Sequence, residues 1–209
     1  RKENLEKLGL NWSLDHYYKK DKLYFDNYLN VMKPYKKSLC KKVDVGFVFI
    51  TEPNGVCERT EYGNIIYLSE SLKYFLHFMN FSMLTFHNFE MDSEQNHESL
   101  LIGLRVMLGV ESLDFDLDPR YDSIPQNIID ANNDLVEEQL KFIIGHEYAH
   151  HSLGHLNTSK ILSVSANDIS KSSQDIKIYN YSQKQEFDAD WFAFHNTKLS
   201  KEDKGKLLN

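Results

Sequence analysis

Residues 133–155, NDLVEEQLKFIIGHEYAHHSLGH, decide how the chain is read. Asn133 or Asp134 suits a helix cap, and Glu137 and Glu138 suit a first turn, where the positive end of the helix dipole favours carboxylates. At about 100° per residue, His150 sits about 40° round from His146 and one turn on, so both imidazoles can reach one point. Leu135, Phe142, Ile143, Ala149 and Leu153 fall within roughly 60° of His146 on the same wheel. Histidines in such an apolar stripe are badly placed for solvent and well placed for a dry metal site. Glu147, about 100° from His146, can polarise a metal-bound water without displacing it. On a continued helix His151 and His155 lie at about 140° and 180°, and read as outer-face or helix-end residues, not ligands.

The spacing HExxHxxGxxH of metzincins is not met, because Gly154 and His155 fall four and five residues after His150. A third ligand is better sought in residues 182–195, SQKQEFDADWFAFH. On a helix, Glu186, Ala189, Asp190, Ala193 and Thr197 share one narrow face, acidic and small. Phe187, Trp191, Phe192 and Phe194 cover much of the rest. Carboxylates on a helix so clad need a partner, since an unpaired buried carboxylate is costly. A zinc ion would supply it, with Glu186 as oxygen ligand and Asp190 bonded to the far nitrogen of a ligating histidine. The two alanines would let this helix approach the first closely, and Asp188, on the opposite side, reads as solvated.

Working outward, residues 3–32 carry apolar positions at helical spacing and read as one or two helices, followed by a connector at Pro34. Residues 43–50 and 62–68 read as strands, joined through Pro53-Asn54-Gly55 as a β-hairpin with a long loop. The strand at 62–68 is a candidate edge for binding an extended peptide, or an ordinary buried strand. Helices are expected over about 69–89, 93–108, 133–155 and 183–199. An acidic loop at 111–127 carries Asp114, Asp116 and Asp118 without the Gly and closing Glu of a calcium loop. A polar stretch before residue 183 reads as a mobile loop. The fold expected is α+β, mostly helical, with a small β-hairpin or sheet beside the metal-site helix. Residues 1–42 read as an N-terminal helical segment and 43–209 as the main domain, the two forming one compact unit.

At 209 residues and 41% apolar, the chain is long enough for one well-buried domain. A net charge of -7 argues against nucleic acid as the main partner, because phosphate binding needs a basic surface. Lys33, Lys36, Lys37, Lys41 and Lys42 form a local basic stretch that reads as a solvated face. Cys40 and Cys57 belong to no CxxC pair and read as reduced thiols, which fits a cytoplasmic setting. No segment approaches the roughly 18 apolar residues of a membrane span, and the first ten residues lack the apolar core of a signal peptide.

HEYAH at 146–150 followed by EFDADWFA at 186–193 resembles the gluzincin pattern HExxH…ExxAD. It is similar to peptidase family M48, to the ImmA/IrrE-like peptidases and to phage-exclusion proteases of the Lit kind. The resemblance spans about residues 140–195 and leaves the choice among them open. M48-type chains usually carry membrane helices and ImmA-like chains often a helix-turn-helix, neither of which is found here. The resemblance implies a zincin-like metallopeptidase fold, zinc as cofactor, His146, His150 and Glu186 as metal ligands, and Glu147 as catalytic base acting on a zinc-bound water. Tyr179, Tyr181 and His195 are candidate oxyanion donors. The substrate would be a protein or peptide, with a regulatory protein as a candidate partner. Two other readings stay open: a zinc-retaining sensor module of a bacterial stress or phage-defence system, and a zinc hydrolase of a non-peptide amide.

Overall fold

A computed structural model describes residues 14–40, 43–87, 93–111, 124–158, 160–164, 176–180 and 182–196. Their elements in chain order are α1 (Leu14–Val31), α2 (Pro34–Cys40), β1 (Asp44–Val48), β2 (Gly55–Thr60), β3 (Gly63–Ser69), α3 (Glu70–His87) and α4 (Ser93–Met107). There follow α5 (Gln126–Ser152), α6 (His155–Thr158), β4 (Lys160–Val164), β5 (Ile176–Asn180) and α7 (Gln183–His195). Helix predominates, and the strands form one three-stranded sheet and one antiparallel pair, which makes the chain α+β. None of the described helices is long and apolar enough to cross a membrane.

The central helix is longer than its sequence pattern suggests. It begins at Gln126 behind Pro125, whose carbonyl accepts from the Ile128 and Ile129 amides. Asn133 and Asp134 are therefore not caps but exposed residues of the second and third turns. Asn132 sits inside the helix despite its poor propensity because its amide bonds the His77 carbonyl at 3.2 Å and the His77 ring at 3.0 Å. The deepest line of α5 runs Ile128, Asn132, Val136, Leu140, Ile144 and Tyr148, at i+4 spacing. This line faces the core; of the stripe expected around His146, Ala149 is fully buried with it, Leu135, Phe142 and Ile143 are half-buried and Leu153 is exposed.

Against that line pack Phe25, Tyr28 and Met32 of α1, Cys40 of α2, Phe47 of β1, Ile66 and Leu68 of β3, and Ala189 and Phe192 of α7. The described part of the N-terminal segment thus shares one hydrophobic core with the residues that follow it. The stretch expected as a connector is the helix α2, and Pro34 opens it, where the missing amide proton costs nothing. Tyr28 stacks on Tyr148 with ring centroids 5.6 Å apart and passes beside Gly145.

The sheet differs from the expected hairpin. Strand order is β1-β3-β2, with β1 parallel and β2 antiparallel to β3. The loop through Pro53 does not close a hairpin; it leads into β2, which turns at Glu61-Tyr62 into β3. Residues 55–60, GVCERT, hide a strand because only Cys57 is fully buried. Residues 62–68 accordingly supply the central strand, paired on both sides, and the edge reading moves to β2. Among the described residues no strand pairs with the outer edge of β2.

The stretch expected as a mobile loop instead contributes α6 and the ladder of β4 with β5. The acidic loop at 112–123, Lys41, Lys42, Tyr181, Thr197 and residues 3–13 lie outside the described residues.

A Cβ on Gly145 would stand 2.8 Å from the Tyr28 ring, and Tyr28 is fully buried and stacked, so it cannot yield cheaply. Gly145→Ala is expected to destabilise the fold by about 1–3 kcal/mol, read by urea denaturation. Unchanged stability would mean the α1–α5 contact is looser than described.

Candidate metal centre

Two turns of α5 and the first two of α7 meet at the site. Ala189 and Ala193, both buried, form the face that α7 turns to α5, and their small side chains permit the close approach. Ser182 starts α7 with a capping box, accepting from the Gln185 amide while the Gln185 side chain accepts from Ser182. That cap sets the register in which Glu186 and Asp190 arrive one turn apart.

The Nε2 atoms of His146 and His150 stand 2.9 Å apart. Glu186 Oε2 lies 3.1 Å from the first and 3.8 Å from the second. Ligand atoms of the three residues all fall within 4.8 Å of one another. Zinc–ligand bonds of about 2.0–2.1 Å at tetrahedral angles separate neighbouring ligand atoms by about 3.3 Å, so the trio fits such an ion with small adjustments. Two nitrogens and one carboxylate oxygen, with neither cysteine among them, are also a donor set zinc accepts.

Each histidine is held at its far nitrogen as well. Asp190 Oδ1 is 2.8 Å from His146 Nδ1, as the i+4 spacing from Glu186 implies. His150 Nδ1 is 3.0 Å from His155 Nδ1, a contact the helical wheel excluded. The wheel assumed a continuous helix, but α5 stops at Ser152 and Gly154 takes a φ of +72°, which redirects the chain. His155 is thereby buried instead of outward. His151 does point away, its Nδ1 accepting from the Asn64 amide at 2.8 Å and its Nε2 donating to the Leu39 carbonyl at 3.2 Å.

Burial does not account for the carboxylates at this site. Their side chains are 44% exposed for Glu186 and 54% for Asp190, so burial does not force a partner on them; what engages them is the imidazole pair. The aromatic cladding is partial too, since Phe187 and Trp191 are exposed and only Phe192 is buried. Asp188 forms an ion pair with Lys184, and His155 is lowered, mainly by burial, against the opposing pull of Asp188. His195 stacks on Trp191 and contacts the Trp191 carbonyl at 3.0 Å, bound up with its own helix. Tyr179 falls in β5.

Electrostatics separate the two central groups. Burial first, then His146 and His155, lower His150 to about 3, leaving a neutral imidazole, the form a metal needs. Glu147 is pushed up to about 7, mainly by burial and further by Glu186, against the opposing pull of His146 and the Cys57 amide. That amide bond shows how closely β2 runs beside α5. A Cβ on Gly55 would meet Ile143 Cγ2 at 3.0 Å and Glu147 Oε1 at 3.3 Å, so a glycine stands where the strand crosses the carboxylate. Tyr67, on β3, bonds Glu58 at 3.3 Å and is pushed up to about 12, mainly by burial. Gly55, Cys57 and His155 are the residues near the site that the sequence reading missed.

No protein-family model matches the chain, and no match is found among the curated proteins or the solved structures.

The Glu147 shift has a consequence for stability. The folded protein keeps the proton up to about pH 7, whereas an unfolded carboxyl releases it near 4.5. Stability therefore falls as pH rises between these values, and the full penalty applies above them. His150 acts in the opposite sense, destabilising below its unfolded value of 6.5, and is neutral in both states at pH 8. Glu147→Gln in metal-free protein is expected to raise stability at pH 8 by on the order of 2–3 kcal/mol, with a smaller gain near pH 5. Chemical denaturation at the two pH values checks this, and no gain at pH 8 would contradict the buried carboxyl.

Proposed function

We propose that the chain is a zinc-dependent endopeptidase of the gluzincin kind, with a zincin-like arrangement of helix and sheet edge. His146, His150 and Glu186 would hold the metal, and Glu147 is the general base. The observation that carries this reading is the convergence of the three ligand atoms within 4.8 Å, beside a buried carboxyl raised to about 7.

Zinc bound there would act as a Lewis acid, polarising a carbonyl and drawing the pKa of a coordinated water towards neutrality. The chain's own groups do the rest. Asp190 accepts the Nδ1 proton of His146 and so leaves the Nε2 lone pair for the metal. Glu147, poised near neutral pH, takes a proton during attack on the scissile carbonyl and returns it to the leaving amine. The Cys57 amide orients its carboxyl, and Gly55 keeps the adjoining strand free of a side chain that would crowd it. The outer edge of β2 offers backbone groups beside Glu147 to which an extended peptide can add as a further strand. A protein or peptide segment in extended form is therefore the substrate class.

The test compares native zinc-loaded protein with Glu147→Gln and Glu186→Ala on a peptide library. Glu147→Gln should retain zinc and lose about 10²–10⁴-fold in cleavage rate; an unchanged rate removes Glu147 as base. Glu186→Ala should weaken zinc retention, and unchanged retention removes Glu186 from the ligand set. Zinc-loaded native protein that cleaves no peptide would overturn the peptidase reading.

A further inference from the structure

His155 is a second buried histidine in contact with the site, and the ligand set leaves it without a task. It is 7% exposed, and its Nδ1 faces the Nδ1 of His150 at 3.0 Å. A contact of this length between two ring nitrogens needs a proton or a cation between them; the Nδ1 pair lies away from the ligand cluster and takes a proton, so one ring donates and the other accepts. On the other side of the His150 ring, Nε2 faces His146 Nε2 at 2.9 Å and Glu186 Oε2 at 3.8 Å. A neutral imidazole that offers its Nε2 lone pair to a cation must carry its proton on Nδ1. His155 is then the acceptor, neutral and protonated on its own Nε2.

The local chain is built to deliver that acceptor. Gly154 adopts a left-handed φ of +72°, which a side-chain-bearing residue rarely takes, and α6 starts at once with His155. Leu156, 6% exposed, belongs to the hydrophobic core and anchors the turn. The position of His155 is thus fixed by backbone and packing together, independently of the residues it serves.

We infer that His155 is a positioning residue that locks His150 in the Nδ1–H tautomer, so that the Nε2 lone pair is directed at the ligand cluster. This rests on the proposed metal site. The two histidine ligands are then held by different chemistry: His146 by the carboxylate of Asp190, His150 by a neutral imidazole. A neutral acceptor orients the ring without adding negative charge beside a group already enclosed in the core.

The experiment measures zinc affinity by chelator competition, and the visible spectrum of the cobalt form, for native protein, His155→Leu and His155→Asn. Thermal denaturation of each metal-free protein reports whether it is folded. The Asn carbonyl oxygen can occupy the place of the imidazole Nδ1 and accept the same proton, whereas Leu only fills space. His155→Leu is expected to lose about 10–100-fold in zinc affinity and to shift the cobalt spectrum, while His155→Asn stays close to native in both. Native-like affinity and spectrum in the Leu variant would overturn the proposal while leaving the metal site standing. Equal losses in the Leu and Asn variants would overturn it too, because His155 would then serve packing alone. Failure of the native protein to bind zinc or cobalt would overturn the metal site itself, and this inference with it.

Discussion

The imidazole of His150 is 1% exposed, and a ring so enclosed must have both nitrogens answered from within the protein. Much of the molecule is arranged around that requirement. On one side, α7 comes close enough through Ala189 and Ala193 to bring Glu186 to the pair of Nε2 atoms. On the other, α5 ends early so that Gly154 can turn His155 onto Nδ1. Burial also removes the option of protonation, which leaves a neutral ring on a helix whose next turn back carries a second imidazole.

The helix that carries these groups is covered on two sides, and this explains how a polar cluster and a hydrophobic core coexist on one element. Its line from Ile128 to Tyr148 packs against α1 and the sheet, while His146 turns towards α7. Glu147 falls between the two, next to β2, and is buried there. A carboxyl held there at a cost in stability is the kind of strain that functional sites retain.

Chemistry-bearing residues were more legible in the sequence than the backbone that presents them. The i, i+4 spacings of His146 with His150 and of Glu186 with Asp190 place each pair on one helix face, and the structure brings all four side chains together. The role of His155 is hidden from a wheel continued through Gly154, although a glycine at a helix end is itself a stop signal. Asn133 and Asp134 resemble caps and suggest a start for α5 seven residues late, whereas Pro125, the true boundary, stands before a polar stretch. Strand β2 was missed because Glu58 and Arg59 interrupt its apolar pattern, and with it went the parallel pairing of β1 to β3. Parallel register depends on contacts distant in sequence, which local alternation does not encode.

The proposed function requires α5 and α7 together to hold one metal ion through three protein ligands. Anomalous diffraction at the zinc edge, on crystals grown with stoichiometric zinc, tests it most directly. A single strong peak is expected about 2.0–2.1 Å from His146 Nε2, His150 Nε2 and a Glu186 carboxylate oxygen. A peak ligated by other residues, or none between α5 and α7, would contradict it.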